Sequence, residues 1–291
     1  MKPPAFPSSP PAGIGNWHPA TDQFEWQEGL WRTRNATEVS YPDSGNESCF
    51  QIEDTSYWFR HRMACLLTTI ERFPPCGMLL DIGGGNGYVA AALQNAGVEC
   101  ALIEPGSGAR NAVRRGVKHV IQATLEDAHF QTQSWAAAGA FDVVEHIADD
   151  VEFLRAIRHQ LIPGGRFYCT VPAFPTLWSH EDVHAGHFRR YTRAGLSQVL
   201  NQAGFTLEFM TYFFVWLTVP VWFLRALPSR LKLSSSKPVG TSEAVKNDHR
   251  LPALLSGPVG RLHAWELNRI RTERPLPFGT SLLCVARAID A

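Results

Sequence analysis

Apolar positions along the chain change period several times. Between residues 56 and 72, Trp58, Met63, Leu66, Leu67 and Ile70 recur at helical spacing, and Pro74-Pro75 ends the run, which predicts a helix. Short apolar runs then alternate with helical stretches. Residues 78–82, 98–103, 117–123, 139–144 and 166–171 read as strands. Residues 88–96, 107–115, 149–160 and 192–203 read as helices, the third closed by Pro163-Gly164-Gly165 and the fourth opened by a Thr192 cap. Residues 205–213 and 281–289 complete a set of seven strands. Strands alternating with helices predict an α/β fold with a mostly parallel sheet covered on both faces.

The same pattern divides the chain. Residues 1–55 form an N-terminal extension whose Pro-rich first 20 residues read as a flexible leader without the apolar stretch of a secretory signal. The core spans 56–211, and the final strand lies within 280–291. Between them, 212–279 is too long for an ordinary connection and reads as an insertion. It opens with the apolar run YFFVWLTVPVWFLRAL at 212–227 and continues into a polar stretch, 234–250, that reads as a mobile loop. The apolar run is too short, and too broken by Pro220, to span a bilayer. Trp216 and Trp222 beside Arg225, Arg230 and Lys232 suit a membrane interface or a lipid-like substrate; a buried cap or a homodimer contact fits the same residues.

Composition narrows the function. Lys plus Arg and Asp plus Glu are 27 each in 291 residues, and this neutrality disfavours a nucleic-acid partner. Six scattered cysteines without a C-x-x-C pair fit free thiols in a reducing, cytoplasmic setting, at most at the inner face of a membrane.

The densest signal is Asp81-Ile82-Gly83-Gly84-Gly85-Asn86-Gly87, placed between a predicted strand and a predicted helix. No Lys follows as a nucleotide-hydrolysing loop requires, and Tyr88 stands where a dinucleotide loop has its third glycine. An acid opening the loop suits a cationic amino-acid group better than a pyrophosphate. The run LLDIGGGNGYVAAAL resembles motif I of class I S-adenosylmethionine (SAM) dependent methyltransferases, and FDVVEHIADD and LIPGGRFYCTVP resemble later strands of that family. The resemblance implies a Rossmann-like fold with an antiparallel last strand and SAM as cofactor. It implies that Asp81, Gly83, Gly85, Asn86 and Gly87 hold the cofactor, that Glu104 binds the ribose, that Leu125 and Glu126 meet the adenine, and that Glu145 lies beside the cofactor.

Transfer to a hydroxyl needs alignment and a base. Glu145-His146 ends the fourth predicted strand, as a catalytic pair or as a structural one. The stretch from Trp178 to Tyr191 resembles a segment lying over the acceptor in a bacterial branch of the family. It nominates Asp182, His184 and His187 for catalysis beside His146, and Trp178, Arg190 and Tyr191 for substrate binding; a solvated loop held by its own ion pairs is the alternative. Within it, His180-Glu181-Asp182-Val183-His184 matches H-E-x-x-H, yet prolines before and Gly186 after disfavour the long helix that a zinc protease needs, so no metal is expected. The expected reaction is methylation, on oxygen, of a small-molecule or lipid-linked saccharide acceptor. The rivals are an inactive binding protein of the same fold, an RNA methyltransferase and a metalloprotease.

Overall fold

A computed structural model of the protein describes residues 14, 17, 19–20, 22–34, 49–231 and 253–289. The expected 234–250 loop lies outside these residues. The chain opens with a hairpin, β1 (Phe24–Gln27) and β2 (Leu30–Thr33), joined by Glu28-Gly29, both at positive φ. Helix α1 (Tyr57–Arg72) is capped by the Ser56 side chain, which accepts from the Trp58 and Phe59 N–H groups. Then follow β3 (Leu79–Ile82), α2 (Tyr88–Asn95), β4 (Cys100–Ile103), α3 (Gly108–Arg114), β5 (Val120–Gln122), β6 (Trp135–Phe141), α4 (Asp150–Gln160) and β7 (Leu161–Pro172). The second half holds α5 (His180–Ala185), α6 (Arg193–Gln202), β8 (Phe205–Phe213), α7 (Thr218–Val221), a π turn (Trp222–Ala226), α8 (Leu227–Arg230), α9 (Ala253–Arg271) and β9 (Ser281–Ala288).

Among the described residues these strands form one sheet in the order β1-β2-β5-β4-β3-β6-β7-β9-β8. Pairing is parallel from β2 to β7, and β9 runs antiparallel between β7 and β8. Leu154, Ile157, Leu196 and Leu200 of α4 and α6 pack on one face; Met63, Leu66, Val89, Leu93 and Ala112 of α1 to α3 pack on the other. The chain winds outward from β3 in both directions, through β4 on one side and β6 on the other. That arrangement leaves a crevice at the carboxyl ends of these strands, where open α/β sheets bind ligands.

The sheet has nine strands rather than the expected seven. The extra pair is the β1–β2 hairpin, which extends the parallel edge at β5. Four-residue strands carry little periodicity, but two residues that turn at positive φ between Trp26 and Trp31 are a hairpin signal. Trp17, expected in a flexible leader, is buried: its indole N–H donates to the Ala128 carbonyl at 3.1 Å and its ring meets Phe24 and Phe130 edge-on. Pro163-Gly164-Gly165 does not close a helix with a loop. It lies inside β7, where the pairing with β6 shifts register between Trp135 and Ala137. Strand β6 ends at Phe141, and Val144 to His146, expected at the end of a strand, form a tight helical turn.

Tyr212 and Phe213, at the start of the expected insertion, are buried residues of β8, the strand expected over 205–213. Phe214, at φ 59, turns the chain out of the sheet. The buried Glu266 carboxylate of α9 accepts from the Phe214 and Val215 N–H groups and meets His61 of α1 at 2.7 Å. Helix α9 is thereby fastened onto α1 as a cap. No described helix is long and apolar enough to cross a membrane.

Candidate active site

Asp81 is the third of the four residues of strand β3, with about 1% of its surface exposed. Neither carboxylate oxygen has a hydrogen-bond partner, although the Ala90 N–H is near enough to favour the charged form. Burial pushes its pKa up to about 7; Arg62 opposes the rise and Glu104 adds to it. A buried carboxylate left without a hydrogen bond is costly, and it points to a cationic or donor-rich ligand.

The chain then turns through Gly83, Gly85 and Gly87, all at positive φ. Space separates their roles. A Cβ on Gly87 would lie 2.7 Å from the Ala112 Cβ and 2.8 Å from its Cα, so this glycine lets α2 lie close to α3. A Cβ on Gly85 would meet nothing within 4 Å, so open space lies over the loop at that residue. Gly85→Ala should therefore fold with only the left-handed backbone penalty of about 1–2 kcal/mol. Gly87→Ala should cost roughly 1–3 kcal/mol more through overpacking. Thermal melts of the two variants check this, and Gly85→Ala should show the greater loss of SAM affinity relative to its loss of stability.

Glu104 follows β4, and its carboxylate ties two loops together. It accepts from the Gly85 N–H at 3.0 Å and the Gly106 N–H at 2.7 Å. Burial raises its pKa against these two bonds. Each oxygen keeps a further acceptor position for a ribose hydroxyl. Asn86 is placed differently from expectation. Its amide N–H donates to Glu53 and its carbonyl accepts from Asn111, so the side chain is spent on a buried network that Arg115 extends to Glu53 and Asp54. Leu125 is in the core and Glu126 is exposed, while the Thr124 hydroxyl accepts from the Asp127 N–H and shapes the turn between them.

A second polar centre lies after β6. Glu145 is buried, its Oε2 has no hydrogen-bond partner, and burial followed by the nearby Asp142 charge raises its pKa well above the carboxylate range. The His146 and His187 rings meet edge-on with centroids 4.7 Å apart. Burial and then His187 lower the His146 pKa to about 4, so His146 is neutral at physiological pH. The loop is held here by the Phe188 N–H, which donates to the Glu145 carbonyl at 2.8 Å.

Asp182 organises the rest. Its Oδ1 accepts from His187 Nδ1 and Arg190 Nε, both at 2.8 Å, and its Oδ2 accepts from the Ser179 N–H at 2.9 Å. Burial works against the charge, but the His187 and Arg190 bonds outweigh it and the pKa is lowered. Asp182, expected among the catalytic residues, is thus bonded through both oxygens to His187, Arg190 and Ser179. Its bond at Nδ1 leaves His187 Nε2 with the reactive lone pair. His184, expected among the catalytic residues, is exposed on α5. Among the described residues, His180 and His184 belong to no group of three metal-capable side chains, and α5 has six residues. Tyr191, expected to touch substrate, is buried with its hydroxyl 2.6 Å from Asp150. Arg190, expected to bind substrate, also donates to the Ala173 carbonyl at 3.2 Å. Trp178 is half-buried at the start of that loop.

Sequence reasoning missed Arg62. From α1 it donates to the Phe141 carbonyl at 3.0 Å and pairs with Asp142 at 2.6 Å. Its charge favours ionised Asp81 and Glu145 alike. An arginine one turn after Trp58 on an otherwise apolar helix face was the available signal.

The crevice, the acid before a glycine loop and the acid after the next strand define a nucleoside-binding α/β enzyme. Residues 56–208 match the family model of the methyltransferase domain, and the chain belongs to that family, the class I SAM-dependent methyltransferases, with S-adenosyl-L-methionine as cofactor. Protein-L-isoaspartate O-methyltransferase of Pectobacterium carotovorum is 28% identical over 127 residues, covering 43% of this chain and 61% of that protein. The match thus spans about three fifths of that relative. A Mycolicibacterium smegmatis protein named "Probable S-adenosylmethionine-dependent methyltransferase" is 24% identical over 178 residues, 60% of this chain and 69% of its own length. The fold is shared with a chain of the Haloferax volcanii complex between the Trm112 methyltransferase activator and a methyltransferase (TM-score 0.52, 18% identity, 86% of this chain and 96% of that one). It is also shared with Haemonchus contortus phosphoethanolamine N-methyltransferase 2 in complex with SAM (TM-score 0.51, 15% identity, 87% of this chain and 59% of that one).

Proposed function

We propose that the chain methylates an oxygen of a small-molecule or lipid-linked saccharide acceptor. The observation that carries this reading is the buried Asp182 fixing His187 beside His146 and Glu145. SAM supplies a methyl group already activated by a positive sulfur. Asp81 would hold its ammonium group, Glu104 its ribose hydroxyls, and the open backbone at Gly85 would admit it closely. The unpartnered, buried Asp81 carboxylate and the space over Gly85 both fit such a group. In a metal-free centre His187 Nε2 accepts the acceptor's proton, because Asp182 stays ionised and stabilises the imidazolium that forms.

The lipid-linked form of the reading rests on what adjoins the acceptor loop. Arg230 donates to the Thr176 carbonyl at 2.9 Å and Arg225 lies 3.7 Å from Glu181, so the insertion is bound to the segment just before His187. Val219, Phe223 and Leu224 are 62%, 56% and 76% exposed on that insertion. We place them against the surface of an anionic membrane. Vesicles containing anionic phospholipid should retain the protein at low salt and release it at high salt, and Phe223→Asp with Leu224→Asp should weaken retention at least tenfold. Equal retention by the variant would remove the membrane reading while leaving the methyl transfer intact. Transfer of label from methyl-labelled SAM to extracted metabolites and lipids tests the function itself; label found only in RNA or protein would overturn it.

A further inference from the structure

We propose that Glu145, His146 and His187 form a site for a divalent first-row transition ion that holds the acceptor oxygen. The inference rests on reading this centre as the acceptor pole, and it changes the part of His187 from proton carrier to ligand. One ligand-capable atom from each residue lies within 4.8 Å of the other two. A point equidistant from three such atoms at 4.8 Å is about 2.8 Å from each, so closure by about 0.7 Å brings them to a bond of roughly 2.0–2.1 Å.

Two independent features point to a ligand. Glu145 is a buried carboxylate whose Oε2 has no hydrogen-bond partner, so the fold leaves a charge-bearing oxygen to be satisfied from outside the chain. Both rings also have the outer partners that metal-bound histidines use. Asp182 takes the Nδ1 side of His187, and the Gly186 carbonyl leans on the His146 ring. Asp142 pairs with Arg62 and Asp182 with Arg190, so the Glu145 carboxyl is the acid left over to meet a cation.

The other group of three metal-capable side chains among the described residues, His61, Cys65 and Glu266, lacks these features. Both Glu266 oxygens already accept hydrogen bonds, from Phe214, Val215 and His61, so that cluster is a filled joint between α1 and α9.

Two imidazoles and one carboxylate suit zinc, iron or cobalt better than magnesium or calcium, which favour oxygen donors. Three protein donors leave positions open for an acceptor hydroxyl. The ion draws electron density from that oxygen: the O–H bond breaks, the electron pair stays on oxygen against the ion, and the proton passes to solvent water.

The test is metal binding by the whole protein, without SAM or acceptor. After chelator treatment and dialysis, Co(II) titration should show one equivalent bound with visible absorption bands of a nitrogen- and oxygen-ligated ion. Glu145→Gln and His187→Asn should weaken binding at least tenfold, Asp182→Asn by 10- to 100-fold, and His184→Ala should leave it unchanged. Absence of the bands in the wild-type protein overturns the proposal without reference to any variant. So does binding that His184→Ala abolishes and Glu145→Gln does not. SAM affinity is measured separately, because intact SAM binding and chelator-insensitive methyl transfer would overturn the metal site while sustaining the proposed function.

Discussion

Asp81→Asn should lower SAM affinity at pH 8 by about 10- to 100-fold, the loss expected when charge-assisted hydrogen bonds of roughly 1.5–3 kcal/mol are removed. The variant should also flatten the acid side of the pH dependence. In the free protein the Asp81 carboxyl is raised to about 7, chiefly by burial, so it is half protonated at neutrality. A cationic ligand takes the ionised form, and each pH unit below the raised pKa should cost up to tenfold in affinity. On the alkaline side, affinity should fall again as the ligand's own α-amino group, with an ordinary pKa of about 7.7–8.0, loses its proton. Stability moves the opposite way. The folded pKa lies above the unfolded one, so the folded state binds the proton more tightly between about pH 4 and 7. Unfolding free energy then declines as pH rises through that window, and Asp81→Asn should melt higher than wild type at pH 8. For a core of this size even 1 kcal/mol is about 2 °C or more in Tm. Calorimetric SAM titrations from pH 5.5 to 9 beside thermal melts check both signs. If Asp81→Asn binds SAM as tightly as wild type, with the same profile, the assignment fails.

His187→Asn should reduce kcat by about 10²–10⁴ and leave SAM affinity within about twofold. The variant removes the proton acceptor of a metal-free centre, or one ligand of a metal-bound one. The separation from SAM binding follows from the layout: Asp81 lies in β3 and Glu104 follows β4, while His187 lies on the loop after α5 and faces His146. Asp182→Asn should lower kcat as well, but through orientation. An amide can still accept at one oxygen, so it forfeits part of the hold on His187, Arg190 and Ser179 together. Asp182→Ala should additionally lose stability by about 3–5 kcal/mol, because it strands the largely buried Arg190 guanidinium. Equal kcat for His187→Asn and wild type on an identified acceptor would remove this centre from the chemistry.

The βα alternation and the glycine loop were legible because their causes are local. Leu79 to Ile82 is a fully buried run, and such a run beside a helix cap needs no distant partner to be read. Expected boundaries shifted where a partner strand decides them. Pro163-Gly164-Gly165 has the composition of a loop, yet its neighbours pair with β6 on one edge and β9 on the other, which draws it into β7 as an irregularity. The same limit applies to site residues. Residue type singled out Asn86, His184, Arg190 and Tyr191 but could not say which way each side chain turns.

The sequence by itself determined the fold class and the place of the glycine loop between a strand and a helix, because spacing, glycine placement and strand–helix order are properties of the backbone. Tertiary structure alone decided that the charge of Arg62 from the first helix acts on Asp81 and Glu145, that Asp182 bonds His187, and that Glu145 is left buried with an oxygen unsatisfied. These depend on which side chains converge from strands and loops far apart in the chain, and on how much water their meeting excludes. Burial and long-range electrostatics have no counterpart in a residue's local spacing.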